Sequence, residues 1–157
     1  AGEIEKHLTT IKKENLTVKY LFCTHLHFDH VMGIKEVREL FPEAQLACNK
    51  KELDVLENMG MFARIFQFKP SSLGNFDVFI EDNQSFELGN LKIKAILSPG
   101  HTPGSICFYF EDRLLSGDVL FNRGVGRTDF YGGSFSELEK SVRKLFTLPE
   151  ETIVYPG

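Results

Sequence analysis

The sequence has no tryptophan, only three cysteines and no apolar run of the length that crosses a bilayer, which takes about 20 residues. Each shortage narrows the field. Cys23, Cys48 and Cys107 are odd in number, far apart and without a CxxC pair, so no disulfide framework is expected. Each lies in an apolar stretch, where a thiol serves as a small buried hydrophobe. Positive charge is in short supply as well: 18 Lys and Arg against 22 Asp and Glu leave a net charge of -4, with no basic stripe for a polyanion. Neither nucleic acid nor membrane is expected as a partner. The N-terminal AGEIEKHLTTIKKEN is a charged helical pattern lacking the apolar segment of a signal peptide, and the expectation is a soluble, cytoplasmic protein. There is no low-complexity segment and no internal repeat, which argues against a solenoid.

What the chain does have is apolar bulk. With 42% hydrophobic residues, 15 of them Phe, its 157 residues can bury one core. Ile4, Leu8, Ile11 and Leu16 recur at helical spacing, residues 18–23 read as a strand, and Val31, Ile34, Val37, Leu40 and Phe41 mark one face of a helix over 31–41 that stops before Pro42. Residues 44–48 read as a short strand and 50–57 as a short helix, while 59–68 stay open between helix and lid-like loop. From residue 78 onward strands dominate, over 78–80, 85–88, 91–97, 105–110 and 113–116, with Gly89-Asn90 and Glu111-Asp112 at hairpin turns. A helix over 135–146, with Leu138, Val142, Leu145 and Phe146 on one face, and a strand over 152–155 complete the order. Sheets covered by helices are expected, an α/β (α+β) class.

Three of the five histidines fall within six residues, in Thr24-His25-Leu26-His27-Phe28-Asp29-His30, between a predicted strand and a predicted helix. In an extended turn alternate residues point the same way, so His25, His27 and Asp29 can converge on one point while His30 reaches a second. Imidazole and carboxylate together suit zinc, iron or manganese. Asp29 is also well placed to cap the following helix. A second histidine site is Ser98-Pro99-Gly100-His101-Thr102-Pro103-Gly104-Ser105, a turn whose prolines and glycines fix the backbone and leave His101 projecting. Asp118, in Ser116-Gly117-Asp118, follows a strand, where a carboxylate could bridge two metals. His7 is read as a surface or core-edge residue.

These three pieces, in this order and over nearly the whole chain, resemble the metallo-β-lactamase superfamily and, within it, the hydroxyacylglutathione hydrolases, also called glyoxalase II. The resemblance implies a four-layer αββα sandwich. It implies that His25, His27 and His101 hold a first metal, that Asp29 and His30 hold a second, and that Asp118 bridges the two, Asp29 and Asp118 having a secondary catalytic role in proton handling. Two divalent ions are expected as cofactors, zinc first and iron or manganese as alternatives, with a small-molecule thioester as substrate attacked by a metal-bound hydroxide. Asp118 stands where many β-lactamases have Cys, which disfavours antibiotic hydrolysis. Gly126-Arg127-Thr128-Asp129-Phe130 looks like a segment shared by glyoxalase II-like hydrolases and persulfide dioxygenases and does not separate them. The family's first strand hairpin would precede Ala1, and its last histidine ligand would follow Tyr155-Pro156-Gly157. Residues 1–157 are therefore expected to form one metallo-β-lactamase-fold domain, incomplete at both ends.

The main rival is an oxidoreductase, a persulfide dioxygenase with one iron on His25, His101 and Asp118. A nuclease of the same superfamily is opposed by the acidic balance. The non-enzyme alternative is an inactive, truncated metal-binding scaffold. Arg123, Lys69 and Arg127 could meet an anionic substrate, but a surface charge, or for Arg127 an ion pair with Asp129, accounts for them as well.

Overall fold

The computed structural model describes residues 4–59, 64, 65, 67, 69 and 73–157, with side chains from residue 7 on. The stretch 59–68, left open between helix and lid, falls largely outside them. The strands are β1 (Tyr20–Phe22), β2 (Gln45–Cys48), β3 (Val78–Phe79), β4 (Ser85–Leu88), β5 (Leu91–Leu97), β6 (Ile106–Phe110), β7 (Arg113–Gly117), β8 (Leu120–Phe121), β9 (Gly124–Val125) and β10 (Ile153–Pro156). The helices are α1 (Ile4–Lys13), α2 (Phe28–Val31), α3 (Ile34–Leu40), α4 (Glu52–Asn58) and α5 (Phe135–Leu145). One sheet is parallel, in the order β1-β2-β3. The other runs β10-β7-β6-β5-β4, antiparallel from β4 to β7, with β10 alongside β7 in parallel. The β8-β9 hairpin stands apart.

Alternation within the strands decides the layering, because successive side chains leave a strand on opposite faces. In β2, Leu46 and Cys48 join a cluster with Val31, Ile34 and Leu56, while Ala47 between them joins one with Ile80, Phe86 and Phe108. In β6, Ile106 and Phe108 point into that second cluster and Cys107 into a third, with Leu114, Leu138 and Leu145. These clusters are the three interfaces of four layers: helices α2 to α4, the parallel sheet, the larger sheet, and α5. A strand covered on both faces must be apolar at every position, which is why β6 reads Ile-Cys-Phe-Tyr-Phe without polar breaks. All three cysteines are buried free thiols. Burial pushes Cys23 and Cys107 up to about 12 and Cys48 higher still, so none is a nucleophile at neutral pH.

The four-layer expectation therefore holds, and the strand bounds from β4 to β7 lie within one residue of those read from the sequence. Two local expectations do not hold. The helix placed over 31–41 is two helices, and the first begins at Phe28 with His27, not Asp29, at its N-cap. Asp29 lies inside the first turn, where its charge favours the helix dipole instead of capping a free N–H. The β8-β9 hairpin was not anticipated, since strands of two residues leave no periodicity. Among the described residues no helix is long and apolar enough to cross a membrane.

Candidate metal centre

The site forms where the strands end. The histidine-rich turn leaves β1 at Phe22, His101 projects from the β5-β6 loop, and Asp118 follows β7. The two sheets are joined at this edge by the Ile106 amide, which donates to the Thr24 carbonyl at 2.8 Å. Loops that start from a hydrogen-bonded sheet edge hold their side chains in place.

Two overlapping donor groups result: His25 with His27 and His101, and His25 with His30 and Asp118, the ligand atoms within each group lying no more than 4.8 Å apart. Five of the six expected residues are thus brought together. Asp29 lies outside both groups. Helix α2 begins one residue before it, so the alternation of an extended turn ends at His27, and the Asp29 carboxylate is 60% exposed and 3.9 Å from His30 Nε2. The convergence of His25, His27 and Asp29 on one point is not observed.

The donor chemistry fits a cation. His101 is held by its Nδ1, which lies 2.7 Å from the Arg127 carbonyl oxygen. A carbonyl only accepts, so Nδ1 carries the hydrogen and Nε2 turns a lone pair toward the site. That Nε2 faces His27 Nδ1 at 3.0 Å. His25 is anchored by Thr24 Oγ1, 3.1 Å from its Nδ1, while its buried Nε2 has no hydrogen-bond partner. Buried polar atoms left unpaired are rare and call for an explanation. Three ring nitrogens converging on one space, one of them orphaned, beside a carboxylate, match the ligand set of a divalent transition metal.

Asp118 spans the two groups, with one oxygen 3.3 Å from His30 Nε2 and the other 3.6 Å from His101 Nε2. Burial alone would raise its carboxyl, but the hydrogen bond from His30 and the neighbouring imidazoles outweigh it and hold Asp118 ionised, below the usual carboxylate range. Burial and neighbouring rings act on the histidines in the opposite sense, lowering His25 far below its ordinary value and His27 to about 4. Both rings are neutral at pH 7, as ligands must be.

The shift of His27 has a consequence for the metal-free protein. An unfolded histidine takes up its proton near pH 6.5, whereas folded His27 does so only near 4. Between those values the unfolded chain binds more protons, so stability falls as pH drops and is flat above the window. Thermal unfolding in chelator should show a midpoint that is level above about pH 7 and declines from about 6.5 toward 4. A His27→Gln variant should decline less steeply; equal slopes would contradict the assignment.

A pocket of about 320 Å³ opens over the donors, lined by His27, Asp29, His101 and Asp118 and walled by Phe28, Val55, Met59 and Phe130. Arg127 stands at its rim, paired with Asp129 through two contacts of 2.6 Å and lying over the Phe130 ring. This is the ion pair anticipated for it. His7 and Arg123 are exposed, as is Lys69.

A buried carboxylate near the site that the sequence did not single out is Glu52. It is wholly buried and accepts the amides of Leu26 and Gly104, each at 2.8 Å. Burial raises its carboxyl, and hydrogen bonds from Thr102, Leu26 and Gly104 oppose that rise. The signal was available: Glu52 shares the i, i+3, i+4 face of Val55 and Leu56 on α4, an apolar stripe where a carboxylate is out of place.

The sequence profile of the metallo-beta-lactamase superfamily matches residues 1–157. The chain belongs to this superfamily. Among curated members, "Probable metallo-hydrolase YqgX" of Bacillus subtilis (strain 168) is 38% identical over 99% of this chain and 75% of its own length. "Hydroxyacylglutathione hydrolase GloC" of Haemophilus influenzae is 34% identical over 99% of this chain and 76% of its own. Other superfamily relatives are longer: the chain spans only 53% of "Glyoxylase B2" of Dictyostelium discoideum, at 31% identity over 98% of this chain. Of solved superfamily structures, BLEG-1, a B3 metallo-beta-lactamase, is 34% identical with a TM-score of 0.85, over 99% of this chain and 76% of that one. TTHA1623, solved in a di-iron-bound form, is 29% identical with a TM-score of 0.83, over 99% and 77%. ETHE1 from Myxococcus xanthus is 31% identical with a TM-score of 0.79, over 99% and 60%. A protein named a metallo-beta-lactamase and one named a hydroxyacylglutathione hydrolase are equally similar, at 34% identity each, so kinship does not carry the expectation against antibiotic hydrolysis. Superfamily membership makes this a metallo-hydrolase-type chain, and its His/Asp cluster has the donor set that could hold a metal ion.

Proposed function

We propose that the chain hydrolyses small thioesters of the hydroxyacylglutathione kind with two divalent ions, zinc foremost. The observation that carries this reading is the pair of donor groups sharing His25 at the floor of a largely apolar pocket. Two bound ions would lower the pKa of a water to roughly 7 and polarise a carbonyl oxygen. His25, His27 and His101 would hold the first, and His30 the second, with Asp118 between them and Asp29 reaching the second from its exposed turn. The Arg127 carbonyl keeps His101 in the tautomer that leaves Nε2 free. Phe28, Val55, Met59 and Phe130 accept the apolar parts of an acyl-sulfur substrate and keep bulk water away from its carbonyl. Asp29, open to solvent at the pocket wall, could take the proton set free when the bound water becomes hydroxide and pass it on to the departing thiolate. Arg127, already paired with Asp129, is given no part in substrate binding.

The similarity to ETHE1 of Myxococcus xanthus and to the human protein named "Persulfide dioxygenase ETHE1, mitochondrial" supports a second reading, a persulfide dioxygenase using one iron on His25, His101 and Asp118. Metal content and identity, measured on protein purified without chelator, separate the two together with activity. Hydrolysis predicts about two equivalents of metal and release of free thiol from S-lactoylglutathione. A single iron with oxygen consumed on a glutathione persulfide, and no thiol released from the thioester, would overturn the hydrolase reading.

A further inference from the structure

We propose that Glu52 is a positioning residue for the metal site, a single buried carboxylate that clamps the loop of His25 and His27 to the loop of His101. The inference rests on reading those three histidines as ligands.

One oxygen of Glu52 accepts the amide of Leu26, the residue between His25 and His27; the other accepts the amide of Gly104, three residues beyond His101. The Thr102 hydroxyl, next to His101, is a third hydrogen-bond partner. Leu26 and Gly104 come from segments separated by the whole of β2 to β5, and a rigid planar group joins them at two equal contacts of 2.8 Å. The Gly104 loop is pressed onto the carboxylate so closely that a Cβ there would lie 2.8 Å from Glu52 Oε1 and 2.9 Å from Asn49 Oδ1. Asn49 in turn fixes the approach to α4, its Nδ2 donating to the Ile80 carbonyl at 2.9 Å and its Oδ1 accepting from the Lys51 amide at 3.0 Å.

A carboxylate is required rather than an amide because every group facing it is a donor. A glutamine could satisfy one loop but would turn its NH₂ toward the other. Among the described residues no Lys or Arg pairs with Glu52, so its charge is balanced by N–H and O–H dipoles alone. By fixing both loops at once, Glu52 holds the histidines they carry at one separation, as groups behind metal ligands do.

The test is the zinc dissociation constant of the full chain, titrated against a chromophoric chelator, together with the visible spectrum of the Co²⁺ form. Glu52→Gln should weaken the tightest site by about 10- to 100-fold, the range found for groups that support metal ligands, and should change the Co²⁺ band. Glu52→Asp, which keeps two accepting oxygens, should recover part of the affinity. Leu56→Ala, on the same face of α4, controls for destabilisation: it should lower the unfolding temperature while leaving zinc affinity within about threefold of wild type, below that range. Wild-type affinity in Glu52→Gln, or equal losses in Glu52→Gln and Leu56→Ala, would overturn the proposal. If Glu52→Gln does not fold, Thr102→Val removes one partner and leaves both amide bonds; it should still weaken zinc binding severalfold, and unchanged affinity would count against the clamp. Zinc affinity is independent of the reaction, so a wild-type chain that binds zinc but spares thioesters defeats only the proposed reaction. A wild-type chain that binds no metal defeats both.

Discussion

A His101→Ala variant should lose more than about 100-fold in zinc affinity and in thioester hydrolysis, exceeding the loss expected for a supporting group, while its circular dichroism stays that of the wild type. The size follows from what one ring does. His101 is almost fully buried, at 2% exposure, takes its orientation from the Arg127 carbonyl and aims Nε2 at His27 and Asp118. Alanine leaves a hole of imidazole shape that water can enter, and His27 and Asp118 each lose the ring that faces them. Retention of tight zinc binding in the variant would mean that His25 and His27 do not share a centre with this loop. Metal titration and initial rates on the same sample make the comparison, since a rate loss with intact affinity would point to chemistry instead of binding.

Gly100→Ala should cost about 4 kcal/mol, through an adverse backbone conformation and overpacking together, and lower the unfolding midpoint by roughly 8–16 °C for a domain of this size. Two causes act at one atom. Gly100 has φ of +141°, a region closed to residues with a Cβ. A Cβ there would also overlap the backbone of Leu138 in α5. The helix cannot simply retreat, because the Ser134 amide donates to the Gly100 carbonyl at 2.8 Å and Ser141 Oγ to the Pro99 carbonyl at 2.6 Å. A near-wild-type melting curve for Gly100→Ala would show that this packing is softer than its geometry implies. Gly89→Ala is the contrast: its φ is +61°, but its Cβ would meet open space, so only the conformational part should register.

How much was legible beforehand depended on whether a signal was local. β4 and β5 were readable because Phe86, Ile93 and Ala95 alternate with polar neighbours and Gly89-Asn90 supplies a left-handed turn between them. The five clustered donors were readable because His25, His27 and His30 crowd one turn and because His101 and Asp118 sit at predicted strand ends. The break between α2 and α3 at Met32-Gly33 was not, since the apolar spacing of Val31, Ile34 and Val37 runs across it without interruption. Asp29 was misplaced for a related reason: helical geometry that begins at Phe28, three residues before the expected start at Val31, swings its carboxylate outward. Glu52 shows the limit of reading runs of charge. In Lys50-Lys51-Glu52-Leu53-Asp54 it looks like one more solvated residue; the shared face with Val55 and Leu56 hints at an interior place, and its two loop partners, 26 and 52 positions away, give the reason for it.

The donors and the pocket walls come from different parts of the chain. His25, His27, His101 and Asp118 are set by strand ends and by contacts to backbone, whereas Val55, Asn58, Met59, Phe130 and Tyr131, which shape the cavity, belong to α4 and its C-terminal cap and to the loop before α5 and are in neither donor group. The two sets can therefore drift at different speeds: a lineage could exchange its wall residues one at a time, trying new acyl groups or leaving groups, with the reactive centre inherited intact beneath them.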